Sequence, residues 1–252
     1  DGFRSDVAME VPTDFWEEAR IALDKVKPMF MLAESETHEP DQFDTAFDAY
    51  YGWEMHHVFN KLYSGEVNAS EVMQVMHQKD SINGMDVFPM NMITNHDENS
   101  WNGTIDERLG TSWKAMAVLS YALRGMPLIY SGQEVGLKHR LSFFGKDEID
   151  WSSPQAAEHF EFYKILNEIK ANPSLAVDSK ITFNTDFSTE RLLTIDRGDN
   201  AEYRFILDLG GDGVILREAD LDPTDGYKVV FADEYEDEST VLGKWGFVVL
   251  KK

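Results

Sequence analysis

The chain predicts an α/β fold: the C-terminal part, about strands 4 to 8, of a (β/α)8 TIM barrel, followed by a small antiparallel β-sandwich domain. Two observations predict it. Up to about residue 172, apolar runs that end in polar residues alternate with segments of helical periodicity. From about Ala176 the helical pattern stops, and short apolar runs follow one another across turn signals. The expected division is residues 1–172 for the partial barrel and 173–252 for the all-β domain.

The elements follow in order. Residues 2–8 read as a buried strand, with Arg4 and Asp6 on one face because side chains alternate. Thr13 is placed to cap a helix to about Lys27, with Phe15, Ala19, Ala22 and Val26 on its apolar face and Pro28 closing it. Met29–Ala33 is a continuous apolar run, read as a buried strand ending in Glu34. A short strand near 46–50 leads to a helix through Trp53–Tyr63, and Ser70 is placed to cap a helix over 71–80. A strand over 88–94 leads to Asn95-His96-Asp97; a helix over 112–124 stops at Gly125; Pro127–Tyr130 is the next strand. Ser153-Pro154 opens a helix to about Lys170, ended by Asn172-Pro173. Five strand–helix units of this kind match the last five of an eight-unit barrel. Short strands then fall at 191–196, 203–209, 213–216, 227–231 and 246–250, with turns such as Gly210-Gly211-Asp212-Gly213 between them. The acidic run Asp233–Glu238 reads as a solvated loop or a guard on a sheet edge.

The totals narrow the function. The 252 residues carry a formal net charge of -23. Such a surface repels phosphate backbones and anionic lipid, so nucleic-acid and membrane-surface roles are not expected, while a neutral substrate is unaffected. Without cysteine there is no thiol or disulfide chemistry. No apolar run is long enough to span a bilayer, and no stretch of the given residues reads as a signal peptide. Asp1-Gly2-Phe3 enters a strand with no preceding turn or cap, which reads as a fragment whose N-terminal portion lies elsewhere.

Arg4 and Asp6 alone fit a buried ion pair as well as a site. Asp6, Glu34 and Asp97, however, each stand at a strand end, where active sites of parallel barrels lie. A carboxylate in an apolar strand is costly unless it is paired or used. Glycoside hydrolysis or transfer needs such a set: one carboxylate attacks the anomeric carbon and a second donates a proton to the leaving oxygen, the two roughly 5–5.5 Å apart in the retaining geometry. Arg4 beside Asp6 keeps a nucleophile ionised. Glu34 ends an apolar run with no cation evident beside it, the environment a general acid needs. Asp97 is placed to stabilise positive charge on the sugar ring, and His96 to bond its hydroxyls. Glu36 competes with Glu34 on the same alternation, and His38 reads as a loop residue. His56-His57 does not read as a metal pair, since adjacent helical residues do not face one another. Trp101 reads equally as a sugar-stacking ring and as packing; Tyr130 reads as packing.

Gly2-Phe3-Arg4-Ser5-Asp6, Leu32-Ala33-Glu34 and Thr94-Asn95-His96-Asp97 resemble, in order and spacing, the second, third and fourth conserved regions of the α-amylase family, glycoside hydrolase family 13. Asn95–Trp101, Pro127–Glu134 and Lys146–Trp151 are similar to bacterial members of the α-amylase, neopullulanase and cyclomaltodextrinase kind. The resemblance covers roughly residues 1–172. It implies that Asp6 is the nucleophile, Glu34 the acid/base and Asp97 the transition-state stabiliser, with Arg4 orienting the nucleophile and His96 binding the sugar at the cleavage point; Arg4, His96 and Trp101 are the substrate-binding candidates, and no metal ligand is expected. It implies an α-1,4-glucan substrate cleaved with retention, in a periplasmic or secreted bacterial protein. Many relatives carry Lys-His where this chain has Met9-Glu10. The family's first conserved region, its first three strands and the inserted domain that often holds calcium have no counterpart here, so no cofactor is expected in this chain and any calcium is expected in that N-terminal part. A transglycosylase of the same family and a non-catalytic glucan-binding fragment remain alternatives.

Overall fold

Five strands, β1 (Gly2–Ser5), β2 (Phe30–Ala33), β3 (Ala49–Tyr51), β4 (Phe88–Asn91) and β5 (Met126–Pro127), pair in sequence order, every neighbour parallel. The computed structural model of the chain describes residues 1–35, 45–83, 86–217 and 222–252. Glu36 and His38 lie outside these. Parallel neighbours need crossovers, and among the described residues helices supply those from β1 to β2, β3 to β4 and β4 to β5. The helices are α1 (Thr13–Asp24), α2 (Trp53–Ser64), α3 (Ala69–Asn83), α4 (Ile105–Leu109), α5 (Trp113–Ala122) and, after β5, α6 (Ala156–Lys170). Gly125 makes the turn from α5 into β5 at φ 117°; a Cβ there would stand 2.1 Å from the Pro89 carbonyl oxygen.

Several local expectations are corrected. β1 is no buried strand: among the described residues it pairs on one side only, and Phe3 is 52% exposed. The inward face of α1 is Trp16 and Leu23, with Arg20 paired to Asp48, while Phe15 and Val26 face outward. Apolar periodicity was the wrong guide there, because the Trp16 indole donates to Ala8 O and fixes the helix rotation. Thr13 is the first helical residue after Pro12 and caps nothing. Asn68, not Ser70, closes the start of α3, its Oδ1 accepting from Ser70 N at 2.9 Å.

The remaining strands are antiparallel: β6 (Ile181–Phe183), β7 (Leu192–Arg197), β8 (Tyr203–Asp208), β9 (Val214–Ile215), β10 (Lys228–Glu236) and β11 (Val241–Lys251). They form one connected sheet in the order β10-β11-β8-β7-β6, with β9 on the first residues of β11. β11 bends where Trp245 takes φ 56°. Asp208 holds that bend, accepting from the backbone N–H groups of Trp245 and Gly213 at 3.0 Å each. Rolled in this way, the sheet encloses Leu192, Ile206, Leu216, Leu242, Val248 and Leu250 on one face. Its other face joins the main core, where Leu193, Phe205 and Phe247 pack with Met116, Leu119 and Leu166 of α5 and α6. The start of the acidic run, Asp233–Glu236, lies in the edge strand β10 and guards an edge, not a loop. Among the described residues no helix is long and apolar enough to cross a membrane.

Candidate active site

The C-terminal ends of β1, β2 and β4 converge on one cavity of about 510 Å3 lined by Asp6, Glu34, His96 and Asp97. β1 stops at Ser5, so Asp6 stands in the turn beyond it. The next residue, Val7, takes φ 44°, a conformation a β-branched residue rarely adopts. That turn aims the Val7 N–H at Glu34 Oε2, 2.9 Å away. Strain held at a strand end beside paired carboxylates is the kind that marks functional sites.

Arg4 organises the acids. Its Nη1 pairs with Asp6, its Nη2 donates to Glu34 Oε1 at 2.5 Å, and its Nε donates to Tyr51 Oη at 3.2 Å. The bond from Arg4 and its charge hold the Asp6 carboxyl below its ordinary value. Glu34 therefore does have a cation at hand, against the sequence expectation. The guanidinium reaches it from the neighbouring strand, where Arg4 is in register with Leu32. The two acids still differ in environment: the Asp6 side chain is 76% exposed and that of Glu34 only 14%.

β4 ends at Asn91, and residues 92–97 carry the chain to the cavity. His96 Nε2 lies 3.5 Å from Asp97 Oδ2, and its ring stacks on Phe143 at 5.8 Å. Ligand atoms of Glu34, His96 and Asp97 lie within 4.8 Å of one another, a donor set that a divalent cation would also accept. Burial and the charge of Asp97 push the Tyr130 phenol up. Trp101 does not line the cavity; 57% exposed, it packs on Phe143, which does.

Residues passed over in the sequence also line the cavity, among them Trp53, His57, Glu98 and Phe143. Trp53 follows β3 and could have been found by the strand-end rule that found Glu34. His57, dismissed as half of a metal pair, stacks on Trp53. Its neighbour His56 points the other way, as adjacent helical residues must, into a buried bond with Glu98 Oε2 at 3.0 Å. Burial, the largest single influence, opposes the Glu98 charge, but the bond and charge of His56, the bond from Asn102 and the charge of Arg108 together outweigh it and bring the carboxyl down to about 2. Glu98 also accepts from Asn102 Nδ2 at 2.9 Å, fixing the turn that begins at Asp97.

Residues 2–179 match the family model described as alpha amylase, catalytic domain. The chain is 26% identical over 252 residues to a cyclomaltodextrinase of Thermoanaerobacter pseudethanolicus, covering 96% of this chain and 40% of that protein. It is 28% identical over 196 residues to a maltogenic alpha-amylase of Bacillus acidopullulyticus, covering 73% of this chain and 32% of that protein. Its fold matches the crystal structure of an alpha-amylase from Lactobacillus plantarum with a TM-score of 0.74 at 21% identity, over 100% of this chain and 62% of that one. It also matches the cyclic alpha-maltosyl-(1→6)-maltose hydrolase of Arthrobacter globiformis with a TM-score of 0.76 at 20% identity, over 100% of this chain and 55% of that one. The chain thus spans about a third to three fifths of these four proteins.

Proposed function

The chain belongs to the alpha-amylase family, and from that premise we propose that it carries the catalytic carboxylates of a retaining glycoside hydrolase acting on α-1,4-glucans such as starch, maltooligosaccharides or cyclodextrins. The observation that carries this reading is the meeting of Asp6, Glu34 and Asp97, from three different strand ends, in one cavity. The names of the relatives support the substrate class.

In this reading Asp6, kept ionised by Arg4, attacks the anomeric carbon while the bond to the leaving sugar oxygen breaks. Glu34, in the more enclosed position, gives that oxygen its proton. The products of the first step are a glycosyl ester on Asp6 and a shortened glucan. Glu34, now a carboxylate, takes a proton from water as the water oxygen attacks the same carbon and Asp6 departs. The Asp97 carboxylate faces the positive charge that develops on the ring in both steps. His96 donates to a sugar hydroxyl, and Arg4 keeps the two acids in place. A sugar hydroxyl that replaces water in the second step makes the same site a transglycosylase.

The test is turnover of maltooligosaccharides by this chain beside Asp6→Asn, together with intact mass after incubation with a fluorinated maltosyl fluoride. The expected result is loss of turnover in Asp6→Asn and a glycosyl adduct on Asp6 in the unaltered chain. Equal background turnover in both, with no adduct, would sink the reading.

A further inference from the structure

We propose that Glu34, His96 and Asp97 also form a binding site for zinc, through which the ion closes the cavity reversibly in competition with sugar. The zinc site itself stands on its own geometry; only its effect on turnover rests on the function proposed above.

One ligand atom from each of the three residues lies within 4.8 Å of the other two. Zinc holds imidazole nitrogen and carboxylate oxygen at about 2.0–2.2 Å, so neighbouring donors of a tetrahedral shell stand about 3.4 Å apart. His96 Nε2 and Asp97 Oδ2 are already 3.5 Å apart, and both side chains are partly exposed and able to shift. Glu34 is the more enclosed donor. Its Oε1 accepts from Arg4 and its Oε2 from the Val7 N–H, and each oxygen keeps a lone pair for an ion.

A second feature of the cavity calls for a ligand. Trp53 lines it, is only 7% exposed, and its indole N–H has no acceptor. A buried donor is ordinarily satisfied. Three protein donors leave the fourth position of zinc to a water, whose oxygen offers the cavity an acceptor.

Charge and donor type select the ion. The carboxylates of Asp6, Glu34 and Asp97 outnumber the single guanidinium of Arg4, and the net charge of -23 draws cations to the surface. Calcium takes six to eight oxygens and magnesium a full octahedron, whereas two carboxylates and an imidazole suit zinc. An ion on Glu34 takes the place of the proton that the proposed reaction donates, and the same ion on Asp97 cancels the charge that faces the sugar ring.

The experiment titrates zinc chloride, and separately calcium chloride, into the unaltered chain, His96→Gln, Asp97→Asn and Asp6→Asn by calorimetry in a chelator-free buffer. Far-UV circular dichroism checks that each variant is folded, and maltooligosaccharide turnover is followed at several zinc concentrations. One zinc ion is expected per chain with a Kd of about 1–10 μM, and calcium at least about 100-fold weaker. Zinc affinity falls at least about tenfold in His96→Gln and Asp97→Asn, but less than about threefold in Asp6→Asn, which removes a charge and no ligand. In turnover, zinc raises KM and leaves kcat unchanged. No zinc binding, calcium bound as tightly as zinc, or equal losses in all three variants overturns the site and leaves the proposed function standing. Zinc that binds without raising KM overturns the competition. A chain that binds zinc as expected but turns over no sugar overturns the proposed function and leaves the zinc site standing.

Discussion

Arg4 and Glu34 are ion-paired at 2.5 Å across the gap between β1 and β2, and the same guanidinium pairs with Asp6. One cation thus restrains two acids that the proposed reaction uses in opposite protonation states.

Arg4→Gln removes the bond and the charge that lower the Asp6 carboxyl, so that carboxyl moves upward. A nucleophile must be ionised, so the acid limb of kcat/KM shifts to higher pH. The pH-independent value falls by about 100-fold, the size of losing a charged partner in a site. Arg4→Lys returns the charge without the forked geometry and restores the position of the limb more than the rate. A pH–rate profile of the three proteins decides this; an acid limb unmoved in Arg4→Gln would show that Arg4 does not act through Asp6.

Glu34→Gln separates proton donation from nucleophilic attack. General acid catalysis is worth about 10²–10⁴-fold, so turnover of maltooligosaccharides falls by that much. A maltosyl fluoride needs no strong acid to release its leaving group, and its first step is slowed far less. Single-turnover rates on the two substrates give the comparison. An equal loss on both would move the acid role away from Glu34.

How much of this was legible beforehand follows from what each residue depends on. Asp6, Glu34 and Asp97 stood out because carboxylates at the ends of apolar runs have few structural uses, and all three line one cavity. The cation on Glu34 was not legible, because it reaches across two strands from Arg4 and depends on register. The same holds for Arg20 and Trp16, whose partners Asp48 and Ala8 O set the face of α1 against its apolar pattern. Phe143 was hidden for another reason: it lies in a loop without periodicity, and tertiary bonds such as those of Leu141 to Asn99 and Ser100 bring it beside His96. The parallel strands were readable from short apolar runs that end in polar residues, although β1 is not buried, but the roll of the antiparallel sheet was not, since it turns on Asp208 bonding a backbone 37 residues away.

Glu98 makes the turn at Asp97 sensitive to acid. Its carboxyl lies at about 2 in the folded chain, against an ordinary value of 4.5. A lowered acid stabilises the fold fully above the ordinary value, and that contribution is lost as pH falls from about 4.5 to about 2. The shift corresponds to something on the order of 3 kcal/mol. Urea unfolding of the unaltered chain should weaken across that window more steeply than unfolding of Glu98→Gln, and the two should converge near the lower end. Parallel pH curves would mean that the His56 pair adds nothing to stability.

Arg197 locks the antiparallel sheet to the parallel part. It is fully buried on β7, and its Nη1 donates to Ala122 O at 2.6 Å and Leu123 O at 3.0 Å, carbonyls at the C-terminal end of α5 that no further helical turn can satisfy. Its Nη2 donates to Ala176 O at 2.9 Å and Ser179 Oγ at 2.7 Å. Arg197→Met keeps the buried stem but takes from the Ala122 and Leu123 carbonyls the donor that Arg197 supplies, and unsatisfied buried groups cost roughly 1–3 kcal/mol each before relaxation. Water entering the gap recovers part of that, so the expected loss is about 3 kcal/mol in urea unfolding at neutral pH. Because the lost bonds lie between the two parts, amide exchange should quicken at the end of α5 and in β7 together. A loss below about 1 kcal/mol with exchange unchanged in both places would show that apolar packing around Leu193, Phe205 and Phe247 holds the parts together without it.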